Sequence, residues 1–173
     1  MEREAERGFK GEVEMTVVKT ILKILKPIIL PMATRWCSLQ RDDMYSKGRA
    51  ITTEEAVIAF DAGVVHPSAM RVIECDSVPL PDNWLLLQAG KLTGLYSQEL
   101  AGMTIGDCVY VNRKYISDGL LGHEFTHVAQ YQKAASMEAF LSRYINEMIE
   151  YGYSQAPMEI EARNAAQEKT EGR

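Results

Sequence analysis

Residues 120–132 read LLGHEFTHVAQYQ, and no other stretch constrains the fold as much. His123 and His127 stand four positions apart among Leu120, Leu121, Phe125 and Val128. A helix turns about 100° per residue, so positions four apart share a face, about 40° out of line. The segment predicts a core helix that packs its apolar residues against other elements and aims two imidazoles inward at one point. The chain has only three histidines, and two of them are here. Two neutral histidines hydrogen-bonded in a core are the bland alternative, but buried polar groups need dedicated partners, and nothing else in the sequence asks for such a pair. The expectation is a metal site. Glu124, beside His123, would project next to the ion without binding it. A carboxylate there takes a proton from metal-bound water, whose pKa zinc lowers to about 7.

The surroundings predict the rest of the framework. Two β-rich runs flank Gly106-Asp107 in AGMTIGDCVYVNRKY (101–115), a hairpin signal of type II′ sense. MRVIECD (70–76) predicts a short strand. TTEEAVIAFDAG (52–63) has a threonine cap, two acids in its first turn and Gly63 past its end, each a helix signal. NWLLLQAGKLTG (83–94) predicts a helix that stops at a glycine. From Leu120 onward the pattern is helical: apolar residues recur at 137, 140, 141, 144, 145, 148 and 149, and PMEIEARNAAQEK opens with proline. Earlier, apolar residues at 17, 18, 21, 22 and 25 predict an amphipathic helix with Lys19, Lys23 and Lys26 largely on its other side. Pro27 and Pro31 should break or kink it, and RDDMYSKGR (41–49) reads as a polar link. His66, alone before a proline, reads as structural. Helices, then strands, then helices make an α+β plan. The expected division is an N-terminal arm and amphipathic helix over 1–50 packing on one domain over 51–168, with a loose tail at 169–173.

Composition narrows the function classes. A formal net charge of −5 gives no basic face for nucleic acid. Cys37, Cys75 and Cys108 are far apart and never in a CxxC pair, so they read as reduced thiols. The charged N-terminus lacks the order of a signal peptide, which makes a cytoplasmic location the expectation. The run 17–32 is interrupted by lysines and prolines and is shorter than the ~20 residues a spanning helix needs. Contact of the 17–26 helix with a membrane surface is a further reading.

Two helix ligands leave a catalytic zinc one protein ligand short. A third histidine six residues after His127 is excluded by Lys133, and the glycine that accompanies it is Gln130 here. The remaining candidates are Glu138, Glu147, Glu150, Glu159 and Glu161. The first three fall on the polar side of the 137–150 helix and read as solvated. Glu159 and Glu161 lie among Met158, Ile160 and Ala162, where a carboxylate wants a reason to be. Helical spacing does not separate these two.

LLGHEFTHVAQYQ together with FLSRYINEMIEYGYSQAPMEIEA resembles the compact bacterial metallopeptidase-like domains of the gluzincin group, including the minigluzincins. The resemblance covers about 70–162 and is weaker before residue 50. It implies a zincin-like domain in which a small antiparallel or mixed sheet backs the HExxH helix and a later helix bears a glutamate ligand. In related gluzincins that ligand stands three residues before an alanine, in E-x-x-A-D. Glu159 matches this spacing to Ala162, so the implied ligand set is His123, His127 and Glu159 around zinc, with Glu124 as general base. Arg163 stands where the group has an aspartate that orients a zinc-bound histidine, which leaves that partner unassigned. The oxyanion needs a donor besides zinc. Tyr144, Tyr151 and Tyr153 are candidates, with Tyr153 favoured by its place on the approach to the Glu159 helix. The resemblance implies zinc-dependent hydrolysis of peptide or protein substrates held along an edge strand, here expected to be CVYVN (108–112). A zinc-binding interaction module, latent or without catalysis, is the alternative.

Overall fold

The structure, a computed structural model, describes residues 2–171, with side chains over 15–167. The expectations for the arm at 1–14 and the tail at 169–173 lie outside the residues described in full. In chain order the elements are α1 (Glu2–Lys47), β1 (Arg49–Ala50), α2 (Thr53–Asp61), β2 (Arg71–Cys75), α3 (Trp84–Thr93), β3 (Gly102–Ile105), β4 (Cys108–Asn112), α4 (Asp118–Lys133), α5 (Met137–Tyr151) and α6 (Pro157–Glu171). This is an α+β fold.

Local chemistry sets most of these boundaries. Thr52 and Glu55 form a capping box at the start of α2. Glu55 also takes a bidentate ion pair from Arg49, at 2.7 Å to each nitrogen, which ties β1 to α2. Asn83 caps α3, and Gly94 ends it at φ +87°, a conformation that suits glycine. The β3–β4 hairpin turns at Gly106, with φ +65°, and no non-glycine residue among those described has positive φ, in keeping with a II′ turn. Arg41 of α1 grips this turn through both oxygens of Asp107, at 3.0 and 3.1 Å.

The strands form one mixed sheet in the order β1-β2-β4-β3, with β2 and β4 parallel and the other pairs antiparallel. All five residues of β4 are buried, as suits a strand paired on both sides. This corrects the placing of a substrate along 108–112: β4 is interior, and the edge beside the metal helix is β3. Side chains of β4 alternate between two cores. Val109 and Val111 pack with Val72, Phe125 and Val128 under α2 and α4. Cys108 and Tyr110 face Cys37, Met44, Phe140 and Met158 from α1, α5 and α6.

Of the break or kink expected in the N-terminal helix, the break does not occur. α1 runs through Pro27 and Pro31, and the supposed link at 41–47 is its last part. An interior proline costs about 3 kcal/mol, but both prolines lie on the exposed face, where the carbonyls they leave unpaired reach water. The opposite face is anchored. Leu22 and Ile29 are buried against Leu86 and Ile149, and burying such a side chain contributes about 1.5–3 kcal/mol. Two of the lysines expected on the other side of this helix reach α5. Lys26 donates to Ser142 and Asn146 at 3.0 and 2.8 Å, and Lys23 pairs with Glu150 at 2.6 Å. No helix among the described residues is long and apolar enough to cross a membrane. The three cysteines are free, with Cys37 and Cys108 buried.

Candidate metal centre

Ser117 caps α4 by accepting from Leu120 N, at 3.1 Å. Leu121, Phe125 and Val128 then turn into the sheet core. The opposite face of α4, carrying His123, Glu124, His127 and Gln130, is left to meet α5, α6 and β3. On α6, Met158 and Ala162 are buried. The start of α6 is fixed by Glu147 of α5, whose Oε2 accepts from Met158 N at 2.8 Å while Oε1 accepts from Arg143. Glu147 is therefore a helix cap, not the solvated acid its spacing suggested. Glu138 and Glu150 are exposed as expected.

Docking α6 on α4 brings Glu159 to the two histidines. Ligand atoms of His123, His127 and Glu159 all lie within 4.8 Å of one another. The two histidine Nε2 atoms are 3.3 Å apart. His127 Nε2 is 3.2 Å from Glu159 Oε1, and His123 Nε2 is 3.5 Å from Oε2. Glu159 is 1% exposed, and its Oε2 is buried with no hydrogen-bond partner. Its Oε1 accepts from Tyr144 Oη at 2.8 Å.

The donor chemistry decides what this cluster wants. Gln130 Nε2 donates to Met158 O at 3.1 Å and to Glu161 Oε2 at 2.9 Å. Its amide oxygen therefore faces His127 Nδ1, 2.8 Å away, and that nitrogen must be the donor. In the neutral ring, His127 Nε2 then carries a lone pair aimed at a carboxylate oxygen. Two acceptors at 3.2 Å repel unless a cation lies between them. A proton does this in part: burial opposes charge on His127, yet Glu159 beside it lifts the imidazole above its ordinary pKa. His123, depressed mainly by burial to about 4, stays neutral. Glu159 itself is held below the usual carboxylate range by the histidines and Tyr144, against the opposing effect of burial. Two imidazoles, whose shared proton a metal would displace, and one ionised carboxylate with an orphaned oxygen are a donor set that fits zinc.

The partner left unassigned in the sequence is thus Gln130, three residues after His127 and on its face of α4. Arg163, standing where an aspartate was expected, reaches Ser154 O and approaches Glu159 Oε2 at 3.9 Å. Glu161 is exposed and holds Gln130 rather than facing the cluster. Replacing Gln130 by leucine should weaken zinc binding by about 10–100-fold, the usual cost of losing an outer partner of a ligating histidine. Competition with a chromophoric chelator measures this, and unchanged affinity would dismiss the role.

Glu124 is 4% exposed, with Oε2 2.7 Å from Thr104 Oγ1 of β3. Burial raises its pKa to about 7. Gly102 allows this approach, since a Cβ there would stand 2.5 Å from Glu124 Oε1. Of the three tyrosines, Tyr144 packs edge-on to His127 and binds Glu159, Tyr151 is 57% exposed, and Tyr153 is half-buried beside Glu159. Gly102, Thr104 and Tyr144 come from elements whose positions only the tertiary fold supplies. Gln130 alone left a local signal, its spacing from His127.

Comparison of the chain with protein-family models, curated proteins and solved structures finds no match.

Proposed function

We propose that the chain is a zinc-dependent peptidase of the zincin type, with His123, His127 and Glu159 as metal ligands and Glu124 as general base. The observation that carries this reading is the convergence of two imidazoles and a carboxylate with an unpartnered buried oxygen, beside a second carboxylate that is not drawn into the cluster. The resemblance to gluzincins over 70–162 supports it.

Zinc, when bound, supplies Lewis acidity that acidifies a water and polarises a carbonyl. The remaining work falls to this chain's residues. Thr104 fixes one oxygen of Glu124, leaving Oε1 to take a proton from the attacking water and return it to the departing amine nitrogen. Burial sets that carboxylate near pH 7, where it serves both as base and as acid. Tyr153, half-buried beside Glu159, is our candidate for the hydroxyl that donates to the oxyanion. Edge strand β3 offers unpaired backbone groups to an extended peptide, a mode that gives affinity with little demand on most side chains.

Metal analysis of protein purified without chelator, together with hydrolysis of a diverse unfolded-protein and peptide panel, tests the proposal. About one zinc per chain with cleavage of the panel is the expected result. Zinc without cleavage transfers the site to a binding module, and a chain that neither carries nor takes up zinc overturns the site itself.

A further inference from the structure

Arg163 reverses the charge that the gluzincin pattern places beside the metal centre, where the related chains carry an aspartate. Positions 159, 163 and 166 fall on one stripe of α6. Ala166 lines an open groove of about 550 Å³ that also touches His123, Glu124, Tyr153 and Ser154. Arg163 thus stands between the proposed ligand Glu159 and the groove. Its Nη2 donates to Ser154 O, and its Nη1 faces Glu159 Oε2 across 3.9 Å, beyond hydrogen-bond reach. A guanidinium has several N–H donors, and among the described residues this one makes a single hydrogen bond. The side chain is 37% exposed, so its other donors are open to a ligand.

Packing does not explain a charge at this position. Glu147 already fixes the start of α6, and Met158 and Ala162 bury its inner face. In the metal-free chain the guanidinium offsets the charge of Glu159 one turn away. A divalent cation held by Glu159 takes up that negative charge and leaves two cations side by side, which repel. An anion set against both relieves the repulsion. The two acids that line the groove do not supply it. Glu99 is engaged by Asn112, Tyr115 and Lys114, and Glu124 is buried against Thr104. The anion therefore comes from a ligand.

We infer that Arg163 binds a carboxylate of the ligand and so selects substrates that carry one next to the scissile bond. A carboxylate presents two acceptor oxygens to the planar donor edge of a guanidinium, a geometry that lysine does not match. The source is either the C-terminus of a short peptide or an aspartate or glutamate side chain. The resemblance to gluzincins does not imply this role, since an aspartate in the same place would repel the same group. The inference rests on the peptidase reading for the scissile bond, but ligand binding at Arg163 needs no turnover.

Zinc-loaded Glu124→Gln protein, which should bind peptides without cleaving them, is titrated calorimetrically with two pairs of ligands. The first pair is acetyl-alanyl-leucyl-alanine and its C-terminal amide. The second is a tetrapeptide blocked at both ends, with aspartate or asparagine after leucine. In at least one pair the acid should bind about 10-fold more tightly than its uncharged twin. Preference in the first pair alone assigns the C-terminal carboxylate, and in the second alone an acidic side chain. Adding Arg163→Gln, checked for native near-UV circular dichroism, should bring the twins within about twofold, while Arg163→Lys keeps part of the preference. A preference that survives Arg163→Gln belongs to the metal and overturns the inference, as does no preference in either pair. Zinc affinity gives a readout of opposite sign for a structural role. Removing the neighbouring charge by Arg163→Gln should tighten zinc binding by about 3–10-fold. Loss of a mere brace for α6 would weaken it, and that result too overturns the inference. If neither variant folds, the Arg163 Nε–Hε resonance decides: it should shift with an acid and not with its twin, and a resonance that moves with neither dismisses the contact. Acid-selective binding with no cleavage of any peptide by the parent keeps the site at Arg163 and removes the peptidase reading. Cleavage by the parent without acid-selective binding does the reverse.

Discussion

Glu124→Gln is expected to keep zinc at the level of the parent and to lose peptide hydrolysis by about 10²–10⁴-fold, the range that general-base assistance supplies. The substitution preserves shape, so Thr104 keeps an acceptor and Gly102 still clears the side chain. All three proposed ligands remain. What disappears is the oxygen that carries the proton from water to the leaving amine. The same variant has a second readout that does not depend on turnover. In chelated protein, burial lifts the Glu124 pKa from 4.5 to about 7. A raised carboxylate pKa means that the folded state disfavours the ionised form. Its contribution to stability is complete below about pH 4.5 and is lost as the pH rises through about 7. Glutamine carries no such penalty. Parent and variant should therefore unfold alike in urea at pH 4, while at pH 8 the variant is more stable by up to about 3 kcal/mol. Hydrolysis equal to the parent's would remove Glu124 as base. A stability gap that is the same at both pH values would mean that the carboxylate does not ionise against burial.

Glu159→Gln and Glu161→Gln should separate just as sharply. Residues two apart on a helix point about 160° from one another, so only one can face the ion. Glu159 is 1% exposed and has an oxygen with no hydrogen-bond partner, whereas Glu161 is exposed and occupied by Gln130. Loss of a ligand should exceed the effect of an outer partner. Glu159→Gln is expected to weaken zinc binding by more than about 100-fold, and Glu161→Gln by no more than about tenfold. Alanine at His123 or His127 should remove the metal as Glu159→Gln does. Zinc titration against a competing chelator reads all four, and a large loss confined to the Glu161 variant would reassign the third ligand.

What could be read from the sequence is what local chemistry decides. The Thr52–Glu55 capping box, the stops at Gly63 and Gly94, the turn at Gly106 and the buried stripe of α4 each depend on residues a few positions apart. What could not be read depends on distant partners. Prolines at 27 and 31 announce a break, and only the contacts of Leu22, Lys26 and Ile29 with α3 and α5 carry the helix through. β1 is two exposed residues long and exists through its pairing with β2. The sequence of β4 suits an edge as well as a centre, because strand order is a property of the whole sheet. Glu147 looks solvated on its own helix and becomes a cap only when α6 arrives. The HExxH residues were legible, but the group that selects the tautomer of His127 was not, since Gln130 gains its fixed orientation from Met158 and Glu161.

The packing of α1 also dictates an order of assembly. Lys26 meets Ser142 and Asn146 across 116 and 120 residues of chain. Synthesis at about 5–20 residues per second puts roughly 6–24 s between the emergence of the two partners. The sheet, α2 and α4 can collapse within that interval, because their contacts with one another are complete by residue 133. α1 cannot finish docking then: Leu22 and Ile29 can meet Leu86 of α3, but their contact with Ile149 waits until α5 has left the ribosome. The first helix to be made thus waits on one of the last before it is covered in full, and the window for misassociation of this chain is set by its own translation rate.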